Sequence, residues 1–222
     1  MADRPIIFSA PMIRALLEGR KTQHRLIIKP APEYGGPGRS RDPQNWADLD
    51  AWGWENHETG GWDLLSEGYT GRIHYAPGDR LWAREAFITG FDMNDDGRAI
   101  GDRKVWYRAT DRGLTWYDPD TETTIDNPPW KSSIHMPRWA SRITLTVTDV
   151  RVQRVQEISA ADAIAEGIAP AANSMTIDCD TLNPRDNFAS LWTSIHGPGA
   201  WDANPWVAAI TFTVRNGNID HD

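Results

Sequence analysis

The stretch Ile143-Thr144-Leu145-Thr146-Val147-Thr148-Asp149-Val150-Arg151-Val152 alternates β-branched and other apolar residues with polar ones. A period of two held over that length predicts a long strand and excludes an amphipathic helix. A long strand needs partners, so the chain cannot be a helical bundle. Pro5-Ile6-Ile7-Phe8, Arg80 to Phe87 after the Gly78-Asp79 turn signal, Lys104 to Arg108, and Trp206 to Val214 each have strand length and composition.

Helices are few and short. Ser9 with Pro11 starts one that places Met12, Ile13, Leu16 and Leu17 on a single face, and Gly19 ends it. Ser159 caps a short helix from Ala160 to Glu166 with Gly167 closing it, and Arg185 to Ile195 forms another with Phe188, Leu191 and Trp192 as its buried face. Strands outnumber helices and no βαβ alternation runs through them. The fold class expected is therefore α+β, a small mixed β-barrel with flanking short helices and long loop insertions. Residues 31–71 and 90–130 read as excursions without a sustained period, apart from the strand at 104–108, and residues 216–222 read as a frayed polar tail. At 222 residues the chain is expected to be one domain over 1–222, because two would leave each half little core.

Composition narrows the function class. Hydrophobic residues make up 40% and charged residues 24%, as in folded globular proteins rather than disordered ones. Cys179 stands alone, so neither an internal disulfide nor a cysteine-rich zinc site is expected, and a reducing compartment is. No apolar stretch is long enough to span a bilayer and the N-terminus has no signal-peptide core, so the expected location is the cytoplasm, with no membrane partner. The net charge of −8 argues against non-specific binding of a long polyanion. Yet residues 1–30 and 131–156 each carry a local charge of +4, against −6 for residues 31–71. Basic segments that meet in space would make a positive site on an acidic protein; chance clustering of solvated charges is the alternative.

P-loop, GxGxxG, GxSxG and HExxH signatures are missing from the sequence, and the six histidines show no ligand spacing, so no metal or cofactor is expected. Twelve tryptophans are in the first instance core and loop packing. Trp82, Trp139 and Trp192 lie beside polar or basic residues and are the candidates for stacking on a nucleobase. Arg138, Trp139 and Arg142 in HMPRWASR combine cations with an aromatic, a mixture suited to a phosphate or a stacked base; ordinary ion pairing is the alternative. Arg84 and Glu85 are neighbours on a strand and point to opposite faces, so only one of them can face a cavity.

The segment Gly19-Arg20-Lys21-Thr22-Gln23-His24-Arg25 gathers an amine, a hydroxyl and an imidazole just past a helix end. Taken with GDRLWARE, with WKSSIHMPRWASRITLTVTDVRVQRVQEISAADAIAEGI and with LWTSIHGPGAWDANPWVAAITF, it resembles ASCH-domain proteins of the PUA-like superfamily, particularly a long form common in phages and prophages. Small bacterial members of that superfamily are amidohydrolases that remove acyl groups from N4-acylated cytidines with a lysine, a threonine and a glutamate. The resemblance places the lysine at Lys21 and the glutamate at Glu166, with His24 where the family has its threonine. It implies a catalytic set of Lys21 as base, His24 or a water that it activates as the attacking group, and Glu166 as proton shuttle. Thr22, Arg25, Arg84, Glu85, Trp82, Arg138, Trp139 and Arg142 are the expected substrate-binding residues. The expected partner is a nucleoside or modified base. The alternative is a non-catalytic reader of modified nucleotides or single-stranded RNA.

Overall fold

The computed structural model describes residues 2–28, 39–40, 52–56, 61–64, 75–94, 98–111, 113–118, 123–126, 128–168 and 183–221, the backbone alone at 39–40, 52–56, 61–64, 93, 118 and 125. It is a mixed α+β structure with few helices. In chain order the elements are β1 (Asp3–Ile7), α1 (Ala10–Leu17), β2 (Gln23–Ile27), β3 (Arg39–Ser40), β4 (Trp52–Asn56), β5 (Gly61–Leu64), β6 (Arg80–Arg84), β7 (Phe87–Met93), β8 (Ala99–Tyr107), β9 (Trp116–Asp118), β10 (Thr123–Ile125), β11 (Ile143–Arg154), α2 (Ala160–Ala165), α3 (Pro184–His196) and β12 (Trp206–Asn216). The largest sheet has five strands in the order β1-β6-β11-β12-β2. β1 runs parallel to β6 and β12 antiparallel to β2. This sheet ends at two edges, β1 and β2, so the expected barrel is not closed among the described residues.

The chain divides into two compact units, one of Met1–Ala2, Arg20–Asp79 and Thr146–Thr213, the other of Asp3–Gly19, Arg80–Leu145 and Val214–Asp222. In the first, Val155, Ile158, Ala163, Phe188, Trp192 and Val207 form a buried cluster. It packs α2 and α3 against the ends of β11 and β12. Asn183 caps α3 through its side chain, which accepts from Arg185 N, and the buried residues Phe188 and Trp192 lie one turn apart, as the sequence pattern predicts. Trp192 is core: it contacts the Phe188 and His196 rings and donates Nε1–H to Ala200 O, and so is not a stacking face for a base.

In the second unit Phe87, Met136 and Ala140 form the buried cluster, with Val105 and Tyr107 packed on it. The expectation of loop over 90–103 is overturned. β7 and β8 pair as an antiparallel arm, with a register shift between Gly90 and Asp92. The strand expected over 104–108 is the second half of β8, which ends at Tyr107; the rest of the arm escaped the pattern because the first residues of β8, Ala99 to Arg103, are all exposed and so carry no alternation. Within 110–130, β9 and β10 pair over short lengths. The tail is tied down rather than frayed: β12 runs on to Asn216, Asn218 Nδ2 donates to the carbonyls of Arg138, Trp139 and Ser141, and Ile219 is buried. Of the excursion at 31–71, β3, β4 and β5 form a three-stranded sheet; the rest, like Cys179, lies outside the described residues.

Candidate active site

Within the first unit, β2 and the C-terminal end of α2 are laced together by backbone. Lys21 and Glu166 form an antiparallel β-bridge, Thr22 N donates to Ala165 O at 2.8 Å, and Phe212 N donates to Thr22 O at 2.9 Å. Ser159 starts α2 by accepting from Asp162 N, and Gly167 follows its last turn with a φ of 95°, a conformation that suits glycine. Glu166 is thereby delivered to the edge of β2 opposite β12. That position explains how one carboxylate meets side chains from both faces of the strand.

Lys21 Nζ donates to Glu166 Oε2 at 2.7 Å, to Gln23 O at 2.7 Å and to Glu166 O at 2.9 Å. Three acceptors match the three N–H bonds of the ammonium form. The cation also sits at the C-terminal end of α2, where the helix dipole favours it. The lysine side chain is 0% exposed and that of Glu166 4%. On the other carboxylate oxygen, Arg25 Nη1 donates to Glu166 Oε1 at 3.0 Å while also donating to Gln23 Oε1 at 2.7 Å. His24 Nδ1 stands 3.7 Å from Glu166 Oε2, and its side chain, 13% exposed, reaches furthest towards the surface of these four.

Burial alone would raise the Glu166 pKa, but Lys21, His24 and Arg25 together pull it down to about 2. Burial pushes Lys21 below its ordinary value, opposed by the pull of Glu166. Burial also pushes His24 down, with the Lys21 and Arg25 charges adding to it and Glu166 opposing. The cluster thus holds an ionised carboxylate and a neutral imidazole at neutral pH beside the Arg25 guanidinium, and the three acceptors around Lys21 Nζ fit its ammonium form.

A second layer holds Arg25. Its Nη2 lies 3.5 Å from Asp162 Oδ2, and its guanidinium carbon is 5.8 Å from the centroid of the Phe188 ring. Asp162 Oδ1 accepts from Gln23 Nε2 at 3.1 Å and from Arg151 Nη2 at 3.0 Å, and Gln23 Nε2 also donates to Thr211 Oγ1 at 3.2 Å. Gln23, Arg151 and Asp162 were not singled out by sequence reasoning. Two signals were available: Gln23 and Arg25 share a strand face at a period of two, and Asp162 and Glu166 share a helix face four residues apart.

Of the expected site residues, Lys21, His24, Arg25 and Glu166 come together, with Thr22 half-buried beside them and tied in through its backbone. Trp82, Arg84, Glu85, Arg138, Trp139 and Arg142 belong to the second unit, where they make groupings of their own. Arg142 grips the buried Glu85 with Nε at 2.9 Å and Nη2 at 3.1 Å, and lies 3.8 Å from the Tyr107 ring centroid. Burial raises the Glu85 pKa, against the pull of Arg142. Arg138 is held by Asp3 and Asp220. Trp139 is 53% exposed with the Arg103 guanidinium 5.8 Å from its ring, and Arg84 lies 5.3 Å from the Trp82 ring.

Among the described residues no group of three or more His, Cys, Asp and Glu side chains is arranged to hold a metal ion, and no helix is long and apolar enough to cross a membrane. The chemistry open to the Lys21 cluster is acid–base: an imidazole kept neutral, beside a carboxylate kept ionised. No protein-family model, no curated protein and no solved structure matches this chain.

Proposed function

We propose that the cluster around Glu166 binds an N-acylated pyrimidine nucleoside and hydrolyses its exocyclic amide, and that the chain is a PUA-like protein of the ASCH type. The observation that carries the reading is the convergence of Lys21 Nζ and His24 Nδ1 on one oxygen, Glu166 Oε2, at 2.7 and 3.7 Å in a nearly sealed setting. A carboxylate beside Nδ1 favours the tautomer with its proton there, which leaves the Nε2 lone pair as a base. That distance closes to a hydrogen bond when substrate excludes the remaining water.

In the reaction, His24 Nε2 takes a proton from water as the water oxygen attacks the amide carbon. The imidazolium, stabilised by Glu166, then returns the proton to the exocyclic nitrogen as the C–N bond breaks, releasing the free amino base and a carboxylic acid. Lys21 holds the carboxylate in place, since its three N–H bonds are all committed to acceptors.

That same commitment favours a second reading, a non-catalytic reader of a modified nucleotide or RNA in which the cluster is a structural ion pair. Incubation of the protein with N4-acetylcytidine, followed by chromatography, separates the two. Release of cytidine by the wild type and its loss in His24→Gln supports the hydrolase. A heat of binding without turnover supports the reader, and neither turnover nor binding removes both. Restoring the family's threonine with His24→Thr then asks whether hydroxyl chemistry can replace the imidazole.

A further inference from the structure

The two oxygens of Glu166 have different partners. Lys21 and His24 share Oε2, and Arg25 alone among the described residues takes Oε1. Arg25 is itself pinned: Nη1 to Gln23 Oε1, Nη2 against Asp162, and the guanidinium near Phe188. Its side chain is 0% exposed, so it is built into the scaffold and offers no surface to a ligand. Asp162 in turn accepts from Gln23 Nε2 and Arg151 Nη2, and its backbone N donates to Ser159 Oγ.

We infer that Arg25 is a positioning residue: by occupying Glu166 Oε1 it turns Oε2 towards His24 and so orients the imidazole that activates water. The inference rests on the hydrolase reading for its kinetic consequence, but not for its structural one. Held by Lys21 at Oε2 and by Arg25 at Oε1, the carboxylate is fixed in orientation only while both grips are present, and a misplacement of about 1 Å in a reacting group costs about a hundredfold in rate. The charged groups around His24 are Lys21, Arg25 and Glu166, with Asp162 and Arg151 behind Arg25.

The test compares wild type, Arg25→Gln and Arg25→Lys in two readouts. The first is turnover of N4-acetylcytidine across pH, and the second is the titration of the His24 imidazole followed by NMR, which needs no activity. With Arg25→Gln, kcat falls about a hundredfold while KM stays within about twofold. Loss of the Arg25 charge alone raises the His24 midpoint, whereas loss of Oε2 from beside the imidazole lowers it, so Arg25→Gln carries both effects and Arg25→Lys separates them. Arg25→Lys keeps the charge but reaches only one acceptor, so Oε2 is no longer held towards the imidazole: the His24 midpoint falls below its wild-type value and kcat falls as well. A KM rise at unchanged kcat would make Arg25 a substrate-binding residue and overturn the proposal. An unmoved His24 midpoint in Arg25→Lys would overturn it too. If the wild type turns over no acylated nucleoside, the hydrolase reading falls while the titration still decides the positioning. If Arg25→Gln does not fold, Asp162→Asn, which loosens Arg25 without removing it, carries the same two readouts. Loss of the Asp162 anion and release of Glu166 Oε2 from the imidazole both lower the His24 midpoint, and kcat falls with KM within about twofold; an unchanged kcat there counts against the proposal.

Discussion

At the scale of single residues, one carboxylate decides the fate of two buried cations. Removing one partner of a buried ion pair leaves an uncompensated charge, at a cost of about 3–5 kcal/mol, whereas the intact pair contributes little beyond an apolar substitute. Glu166→Gln is therefore expected to destabilise the protein by about 3–5 kcal/mol, read as a fall in the denaturation midpoint. Lys21→Met placed on top of Glu166→Gln should cost much less than Lys21→Met alone, because the lysine has already lost its counter-ion; equal costs would mean that the pair is not coupled. The same residue sets a pH response. The folded pKa of Glu166, about 2, lies below its ordinary value of 4.5, so its contribution is complete above the unfolded value and is lost as pH falls from about 4.5 to about 2. Urea midpoints measured through that window should fall, and Glu166→Gln should flatten this part of the slope. Lys21 and Glu166 were legible in the sequence as a pair, through the ASCH resemblance. Their hydrogen-bonding partners were not, since Gln23 and Asp162 become meaningful only when a strand edge and a helix end lie side by side.

At the scale of elements, α2 is short enough that its caps matter more than its length. Ser159 Oγ accepts from Asp162 N, and Ser159→Ala should cost about 1 kcal/mol, measurable in thermal melts. Because Asp162 steadies Arg25, the same change should lower activity on an acylated nucleoside by more than the loss of folded protein explains. The β7–β8 arm offers a separate test. A methyl group on Gly90 would sit 2.9 Å from the Trp116 ring and 3.2 Å from that of Trp106, which themselves meet edge to face. Gly90→Val should cost about 1–3 kcal/mol by overpacking and should speed proteolysis within the arm; a neutral result would mean that Trp116 does not hold this position. The strand Ile143–Arg154 and helix Pro184–His196 were legible because each buries one face, which imprints its period on the sequence. The second half of β8 was legible as the strand over 104–108, but its first half, Ala99 to Arg103, was not, because exposed positions on a two-stranded arm are under no such constraint.

At the scale of the whole molecule, the end of the chain is a stabilising part of the second unit. Ile219 is 1% exposed, and Ile219→Ala should cost about 2–5 kcal/mol in denaturant titrations. A cost below about 1 kcal/mol would mean that the tail is not docked in solution. By its periodicity, caps and turn residues, the sequence alone determined an α+β protein, the long strand near its middle, the short helices with their buried faces, and the lysine–glutamate pair worth testing. Those properties are local, or are carried by a resemblance in the residues themselves. Tertiary structure decided the rest. Among the described residues it left the main sheet open at two edges, set Arg142 against Glu85 and Arg138 against Asp3 and Asp220, and gathered Gln23, Arg25 and Asp162 around Glu166. The physical reason is that a buried charge is stable only with partners, and those partners come from wherever the chain happens to return, which no period along the sequence records.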